Sequence, residues 1–420
     1  MIGFVKEHLD VYRQMLKKRG SDFPIDRFVE LDGKRRELIR QINALRHDKN
    51  SIELKAAELA KRGEKFQDAE KLNSLNHKIK EIENELNGVE TELEKIELRM
   101  PNLVDDSVPE GPDESYDVEI RKWGDNTKLG PDHIEISQNL DLFDTENAAK
   151  TSGSRFYYLK GDLVRLNYAL IMYGLDFGMS RGFKPLQPPY MLRKEIMESA
   201  VDLSAFEEAI YKVENEDLYL ITTSEHAILG YHYNDILTES QLPLRYLGIS
   251  SCFRKEAGAH GRDTKGIFRV HQFEKVEQFI YSKPDDSWKY HEELIKNAED
   301  FFKSLGLPYR VVNVSAGELG ASAAKKYDLE VWLPGQGKYR EAVSCSNCLD
   351  WQAERAKIRY KVGKESIPVH TLNSTLVATE RALIAIMENY LVDKWKVEIP
   401  AVLRPYMGGQ EYIELPKPLG

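Results

Sequence analysis

The sequence predicts an α+β protein: an N-terminal antiparallel helical hairpin, then a larger domain with an antiparallel β-sheet flanked by helices. Three observations carry this reading. The first hundred residues hold two sustained apolar stripes with alternating steps of three and four, the spacing of a coiled-coil seam. Beyond them, strand-like and helical segments alternate without a regular strand–helix–strand period, which favours an antiparallel sheet over a doubly wound parallel one. A length of 420 residues allows two to three domains with at least one large core.

The first stripe runs Phe28, Leu31, Arg35, Leu38, Ile42, Leu45, Lys49, Ile52, Ala56, Leu59, and the second Leu72, Leu75, Ile79, Ile82, Leu86, Val89, Leu93, Ile96, Met100. Between them Arg62-Gly63-Glu64-Lys65 offers a glycine that ends a helix in the left-handed conformation, and Pro101 closes the second helix. So short a connection forces antiparallel packing. Helices of about 35 residues reach about 50 Å at about 1.5 Å per residue. Residues 27–62 carry ten Lys/Arg against six Asp/Glu, whereas residues 66–100 carry five against nine. Two solvated faces with interhelical ion pairs explain this split, and so does a first helix that faces phosphates. The hairpin alone does not choose between RNA and protein as its partner.

Residues 103–126, polar and marked by Pro109, Gly111 and Pro112, read as a linker, leaving 1–102 and 127–420 as the two domains. In the second, RFYYLKG (155–161) reads as a strand-like start to a long helix that ends before Gly182. Strand candidates follow at 218–222, 245–253, 268–282, 309–314 and 327–333.

Composition excludes several classes. Apolar residues make up 41% and charged residues 30%, as in ordinary globular proteins, and no apolar run approaches the ~18 residues of a membrane helix. The N-terminus shows no secretory signal, and three cysteines (Cys252, Cys345, Cys348) build no disulfide framework, which points to the cytoplasm. A net charge of -10 argues against indiscriminate nucleic-acid binding but leaves room for a local basic face. There is no G-x-x-x-x-G-K-[ST] loop, so a nucleotide site here has to draw its positive charge from arginines. The single C-x-x-C at Cys345 and Cys348 lacks a second ligand pair, so no zinc is expected and two buried thiols are the better reading.

The chemistry concentrates in FRKEAGAHGRDTKGIFRVHQFEKVE (253–277), two strand-like ends around a charged, glycine-rich loop. Strand alternation would put Arg269, His271, Phe273, Lys275 and Glu277 on one face. His271 reads as a packed strand residue with no acid–base role, and Arg262 and Lys265 divide evenly between solvated charges and substrate contacts.

This segment resembles motif 2 of the class II aminoacyl-tRNA synthetases, the seryl branch in particular. GFKPLQPPYM (182–191) resembles motif 1, which builds the dimer interface, and TLNSTLVATERALIAIMENY (371–390) resembles motif 3, a strand leading into an arginine-bearing helix. AAKTSGSRFYYLKGD (148–162), TTSEHAILG (222–230), residues 318–347 and the hairpin extend the resemblance over nearly the whole chain, in family order. TTSE stands where P-T-A-E is common, EAVS where E-I-S-S is, and LNST where LNGS is. TTSE keeps Thr223 and Glu225 and EAVS keeps Glu341 and Ser344, while LNST and the FEEAIYKV stretch lean toward an archaeal or eukaryotic type.

The resemblance implies a serine--tRNA ligase that forms seryl-adenylate from L-serine and ATP and passes the seryl group to the 3′ end of tRNA(Ser), leaving tRNA(Sec) open. It implies catalytic roles for Arg254, Glu277 and Arg381. ATP would be held by Arg254, Glu256, Arg269, Val270, Phe273, Glu341, Ser344 and Arg381, with Arg254 on the α-phosphate, Glu256 and Phe273 on adenine, and Arg381 on the γ-phosphate. Glu341 and Ser344 would hold Mg²⁺ with the nucleotide. Serine would be bound by Thr223, Glu225, Arg254, Glu277 and Thr375, and sequence leaves open which of Glu225 and Glu277 takes the ammonium. The family further implies a homodimer and a hairpin that lies against tRNA, reading shape more than base sequence. A catalytically inactive RNA-binding paralogue is the alternative. Loss of Arg254, Glu277 or Arg381 would mark it, and all three are present.

Overall fold

The computed structural model describes residues 2–63, 68–203, 208–257 and 263–415. The turn residues Glu64 and Lys65, Phe206 and Glu207 of the FEEAIYKV stretch, and loop residues 258–262 with Arg262 lie outside the described residues. The chain forms two compact units, one of Ile2–Leu16 with Asp22–Met100, the other of Lys17–Ser21 with the chain from Pro101 onward.

The first unit holds helices α1 (Ile2–Glu7), α2 (Leu9–Lys18, through Leu16), α3 (Ile25–Lys61) and α4 (Ala69–Glu97). Phe28, Leu31, Leu38, Ile42 and Ile52 of the first stripe are buried, as are Ile79, Val89 and Leu93 of the second. Ion pairs Arg27–Glu92 and Lys34–Glu85 fix the helices antiparallel, since one partner's number rises as the other's falls. These pairs are exposed and screened by solvent, so the apolar seam holds the hairpin. Asp32 is an unforeseen exception: buried on α3, it meets Lys6 at 2.7 Å and Arg36 at 2.9 Å.

The second unit is built on one eight-stranded sheet. In chain order its strands are β1 (Val118–Trp123), β2 (Lys184–Leu186), β3 (Leu244–Phe253), β4 (Gln272–Ser282), β5 (Tyr309–Asn313), β6 (Lys325–Leu333), β7 (Lys338–Asn347) and β8 (His370–Ala378). Their spatial order is β1-β5-β6-β7-β8-β4-β3-β2, antiparallel throughout except for the β2–β3 pair. Helix α5 (Asp162–Ser180) lies directly on this sheet: a Cβ on Gly178 would come within 2.5 Å of Leu247 on β3. Helices α6 (Ser224–Tyr231), α7 (Ser287–Ser304), α8 (Trp351–Ala356) and α9 (Thr379–Asn389) complete the frame used below.

Two sequence expectations change. Within the stretch read as linker, Val118–Trp123 is the edge strand β1, paired with β5. Its mostly exposed residues include Glu119, Arg121 and Lys122, the composition of a solvated edge rather than a core strand. The strand expected from residue 268 begins only at Gln272, so Arg269 and His271 precede it. His271 instead closes the hairpin: its Nδ1 lies 2.7 Å from the carbonyl oxygen of Arg254, and the Arg254 N–H donates to its carbonyl at 2.9 Å.

Candidate active site

The central strands carry a cavity of about 320 Å³. Strand alternation brings Phe273, Lys275 and Glu277 of β4 to it, and the neighbouring strand β8 contributes Asn373 and Thr375. From β7 come Glu341 and Ser344, from β6 Lys326, from the start of α9 Glu380 and Arg381, and from the start of α6 Thr223 and Glu225. Arg254, just past β3, and the loop Glu318–Ala323 complete the wall. A second cavity of about 590 Å³ shares Glu318, Lys326, Glu341 and Arg381 with the first and adds Phe268, Arg269 and Arg340.

At one end sit two acids in different settings. Glu277 pairs in register with Thr375, whose hydroxyl donates to its Oε2 at 3.1 Å, and Lys275 Nζ lies 2.7 Å from the same oxygen. Glu225 takes a neutral partner, Gln352 of α8, which donates to its Oε1 at 2.6 Å. Burial, then the charge of Glu277, pushes Glu225 up to about 7.

At the other end Arg254, Lys326 and Arg381 stand among Glu318, Glu341 and Glu380. The Arg381 guanidinium donates to the Glu341 carbonyl at 2.7 Å and lies 4.9 Å from the Phe268 ring, while Arg254 lies 5.0 Å from the Phe273 ring. Glu341 keeps 48% of its side-chain surface open, and its Oε1 lies 3.4 Å from Arg381 Nη1. Burial pushes it up, but Arg381, Lys326 and Arg254 outweigh that and hold it at about 2. Buried Glu380 and Asp328 go the other way, each raised to about 7 by desolvation. Among the described residues, Glu380 Oε2, Arg381 Nε, Arg269 Nε and Asp328 Oδ1 are buried without a hydrogen-bond partner, as expected where a polar ligand supplies it.

Of the residues singled out from sequence, Thr223, Glu225, Arg254, Phe273, Glu277, Glu341, Ser344, Thr375 and Arg381 share the first cavity, and Arg269 lines the second. Two lie elsewhere. Val270 is packed in the core, and Glu256 lies off both cavity walls, where Arg269 Nη1 donates to its carboxylate at 2.8 Å. Sequence reasoning missed Glu380, Lys326 and Gln352. Glu380 carried a signal, an acid beside the motif 3 arginine, whereas Gln352 carried none.

Two family models match the chain. Residues 2–104 match the seryl-tRNA synthetase N-terminal domain, and residues 210–390 match the tRNA synthetase class II core domain (G, H, P, S and T). A serine--tRNA ligase of Nitrosopumilus maritimus is 49% identical over 415 residues, 97% of this chain and 99% of that one. The chain belongs to the seryl-tRNA synthetase family. Among solved seryl-tRNA synthetases, the Pyrococcus horikoshii structure complexed with ATP has a TM-score of 0.94 at 43% identity, covering 99% of this chain and 100% of that one. The cytoplasmic serine-tRNA ligase of Naegleria fowleri, in complex with AMP, has a TM-score of 0.87 at 40% identity, covering 97% and 96%. As a seryl-tRNA synthetase, the chain is an ATP-binding ligase. No described helix is long and apolar enough to cross a membrane.

Cys345 and Cys348 are both free and buried, and burial raises both thiols above their ordinary range. Among the described residues no group of three or more His, Cys, Asp or Glu is placed to hold a metal ion. Glu341 and Ser344 nevertheless offer hard oxygen donors on one cavity wall, the ligand type that suits a divalent cation.

Proposed function

We propose that the cavity divides into an amino-acid end, Thr223, Glu225, Glu277 and Thr375, and a nucleotide end, Arg254, Phe273, Glu341, Ser344 and Arg381. The observation that carries this is the pairing at the first end. A carboxylate and a threonine hydroxyl already hydrogen-bonded to each other form a receptor for a small hydroxyl group, and a second acid lies on the same cavity. Glu277 has Lys275 as its cation, whereas Glu225 has only neutral Gln352. We therefore assign the serine ammonium to Glu225 and the serine hydroxyl to Glu277 with Thr375. Alanine leaves that buried pair without its partner and is rejected.

No protein nucleophile is needed. The serine carboxylate attacks the α-phosphorus of ATP, a P–O bond forms, and pyrophosphate leaves with the electrons of the broken one. Arg254 grips the α-phosphate and Arg381 the γ-phosphate, so catalysis rests on positioning and charge neutralisation. Glu341 and Ser344 would hold Mg²⁺, which would supply further charge compensation on the phosphates when bound. The terminal 3′-hydroxyl of tRNA then attacks the seryl carbonyl and AMP leaves.

Residues 1–102 serve as the tRNA-binding domain and 127–420 as the catalytic domain, with 103–126 connecting them and lending β1 to the sheet. The arm grips tRNA(Ser), and tRNA(Sec) is a further candidate substrate. The enzyme works as a homodimer in the cytoplasm and without zinc. ATP–pyrophosphate exchange with each of the twenty amino acids, in the absence of tRNA, tests the core of this. Exchange with serine alone is expected, and no exchange with any amino acid would overturn the catalytic assignment.

A further inference from the structure

Five consecutive carbonyl oxygens, those of Gly320 to Ala324, are all taken by three residues remote in sequence. Arg19 Nη1 donates to Gly320 at 2.7 Å and Nη2 to Ala323 at 2.6 Å. Asn102 takes the two between, its N–H donating to Ala321 at 2.8 Å and its Nδ2 to Ser322 at 2.7 Å. The Asp105 N–H donates to Ala324 at 3.1 Å. Arg19 Nε also reaches the Asn102 carbonyl at 3.2 Å, so the two clamping residues are tied together. Both are buried, and all of these residues belong to one compact unit.

The clamped loop is the wall Glu318–Ala323 of the active cavity. Gly320, Ala321, Ser322 and Ala323 have almost no side-chain bulk, so backbone hydrogen bonds must set the loop's shape. In planar trans peptides the N–H points opposite to the carbonyl, which turns the N–H groups of Ala321, Ser322 and Ala323 away from the clamp. Among the described residues none of these three finds an acceptor. The clamp also reaches the amino-acid end. Asn102 Nδ2 donates to the Cys348 carbonyl at 2.7 Å, and Asn373, two residues before Thr375 on β8, donates to Cys348 Sγ at 3.7 Å.

We propose that Arg19 is a positioning residue for the amino-acid end of the cavity, holding the Glu318–Ala323 loop in the shape that closes that wall. Arg19 and Asn102 lie outside every motif that carries the catalytic resemblance. The inference rests on the assignment of that end to serine.

The test uses Arg19→Lys and Arg19→Ala in the full-length enzyme, with serine and ATP varied separately in the exchange assay. The expected result is a serine KM raised about tenfold with the ATP KM within about twofold, because the lost bonds to carbonyls lie at one end only. Added methylguanidinium should lower the serine KM of Arg19→Ala, while sodium chloride at equal ionic strength should not. Equal rises in both KM values, or a wild-type serine KM in folded protein, would overturn the proposal. Should Arg19→Ala not fold, Gly320→Ala reads the same loop. Its φ is +66° with open space around the new Cβ, so it strains only the loop backbone. The same selective rise is expected, and an unchanged serine KM again overturns the clamp. Thr375→Val separates the two levels: no effect there sinks the serine assignment itself, whereas an effect there and none at Arg19 sinks only the clamp.

Discussion

Thr375 and Glu277 stand directly opposite each other on adjacent antiparallel strands, and the threonine hydroxyl donates to the carboxylate at 3.1 Å. Both are buried, so the bond orients a charged acceptor rather than decorating a surface. Thr375→Val keeps the shape and removes the hydroxyl. With about 1.5 kcal/mol at stake for a hydrogen bond to a charged group, the serine KM should rise about tenfold and the ATP KM should not move. Pyrophosphate exchange with each substrate varied in turn checks this.

Glu225 gives the amino-acid end a pH dependence. Burial and Glu277 raise it to about 7, so acidification neutralises the group assigned to the serine ammonium. The serine KM should therefore climb as pH falls from 8 to 6, by up to about tenfold per pH unit below the pKa. Glu225→Gln should bind serine poorly at every pH and lose that slope. A wild-type slope surviving in the variant would assign the titration to another group.

How much of this was legible in sequence follows from how local each signal is. The hairpin seam repeats within one helix, so Leu31, Leu38 and Ile42 announce themselves, and the antiparallel pairing follows from the short connection. The strands bearing Phe273 and Thr375 were legible as apolar runs and motifs. What stayed hidden depends on pairings across the fold. Nothing local links Gln352 to Glu225, 127 residues apart, or Arg19 to Gly320, 301 residues apart. β1 escaped notice because an edge strand needs no apolar face. Extending strand alternation back to Arg269 failed because the hairpin closure at His271 interrupts the pleat.

Arg381 begins the α9 helix with its guanidinium fixed by the Glu341 carbonyl. Arg381→Lys keeps the charge and loses the planar fork that pairs with phosphate oxygens. Its kcat for exchange should fall about 100-fold or more, the scale seen when one preorganised charge-stabilising donor is removed. Single-turnover formation of seryl-adenylate is the measurement, and a change confined to the ATP KM would assign Arg381 to ground-state binding only.

The arm is expected to act only in the second half-reaction. Arg36 and Arg40 are exposed on α3 and line a surface groove with Gly33 and Ile39. Replacing both by alanine should raise the tRNA KM in aminoacylation about tenfold, flatten its salt dependence and leave tRNA-independent exchange unchanged. Equal losses in both assays would instead show damage to the catalytic unit.

Glu380 links the active cavity to the stability of the fold. It is buried beside Arg381 with one oxygen unpartnered among the described residues, and desolvation raises it to about 7 from an ordinary value of 4.5. The folded state thus binds more protons than the unfolded chain between those two pH values, and this group costs stability progressively as pH rises through that window. The full shift corresponds to a cost on the order of 3 kcal/mol above pH 7. Glu380→Gln escapes that cost. Its denaturation midpoint should match the wild type near pH 4.5 and exceed it increasingly up to pH 8. Exchange should weaken at the same time, because Arg381 loses a neighbouring charge. A variant less stable than wild type at pH 8 would mean that attraction to Arg381 outweighs the desolvation of Glu380. A variant equally stable at every pH would mean that the carboxyl group ionises in the folded state as readily as in the unfolded chain.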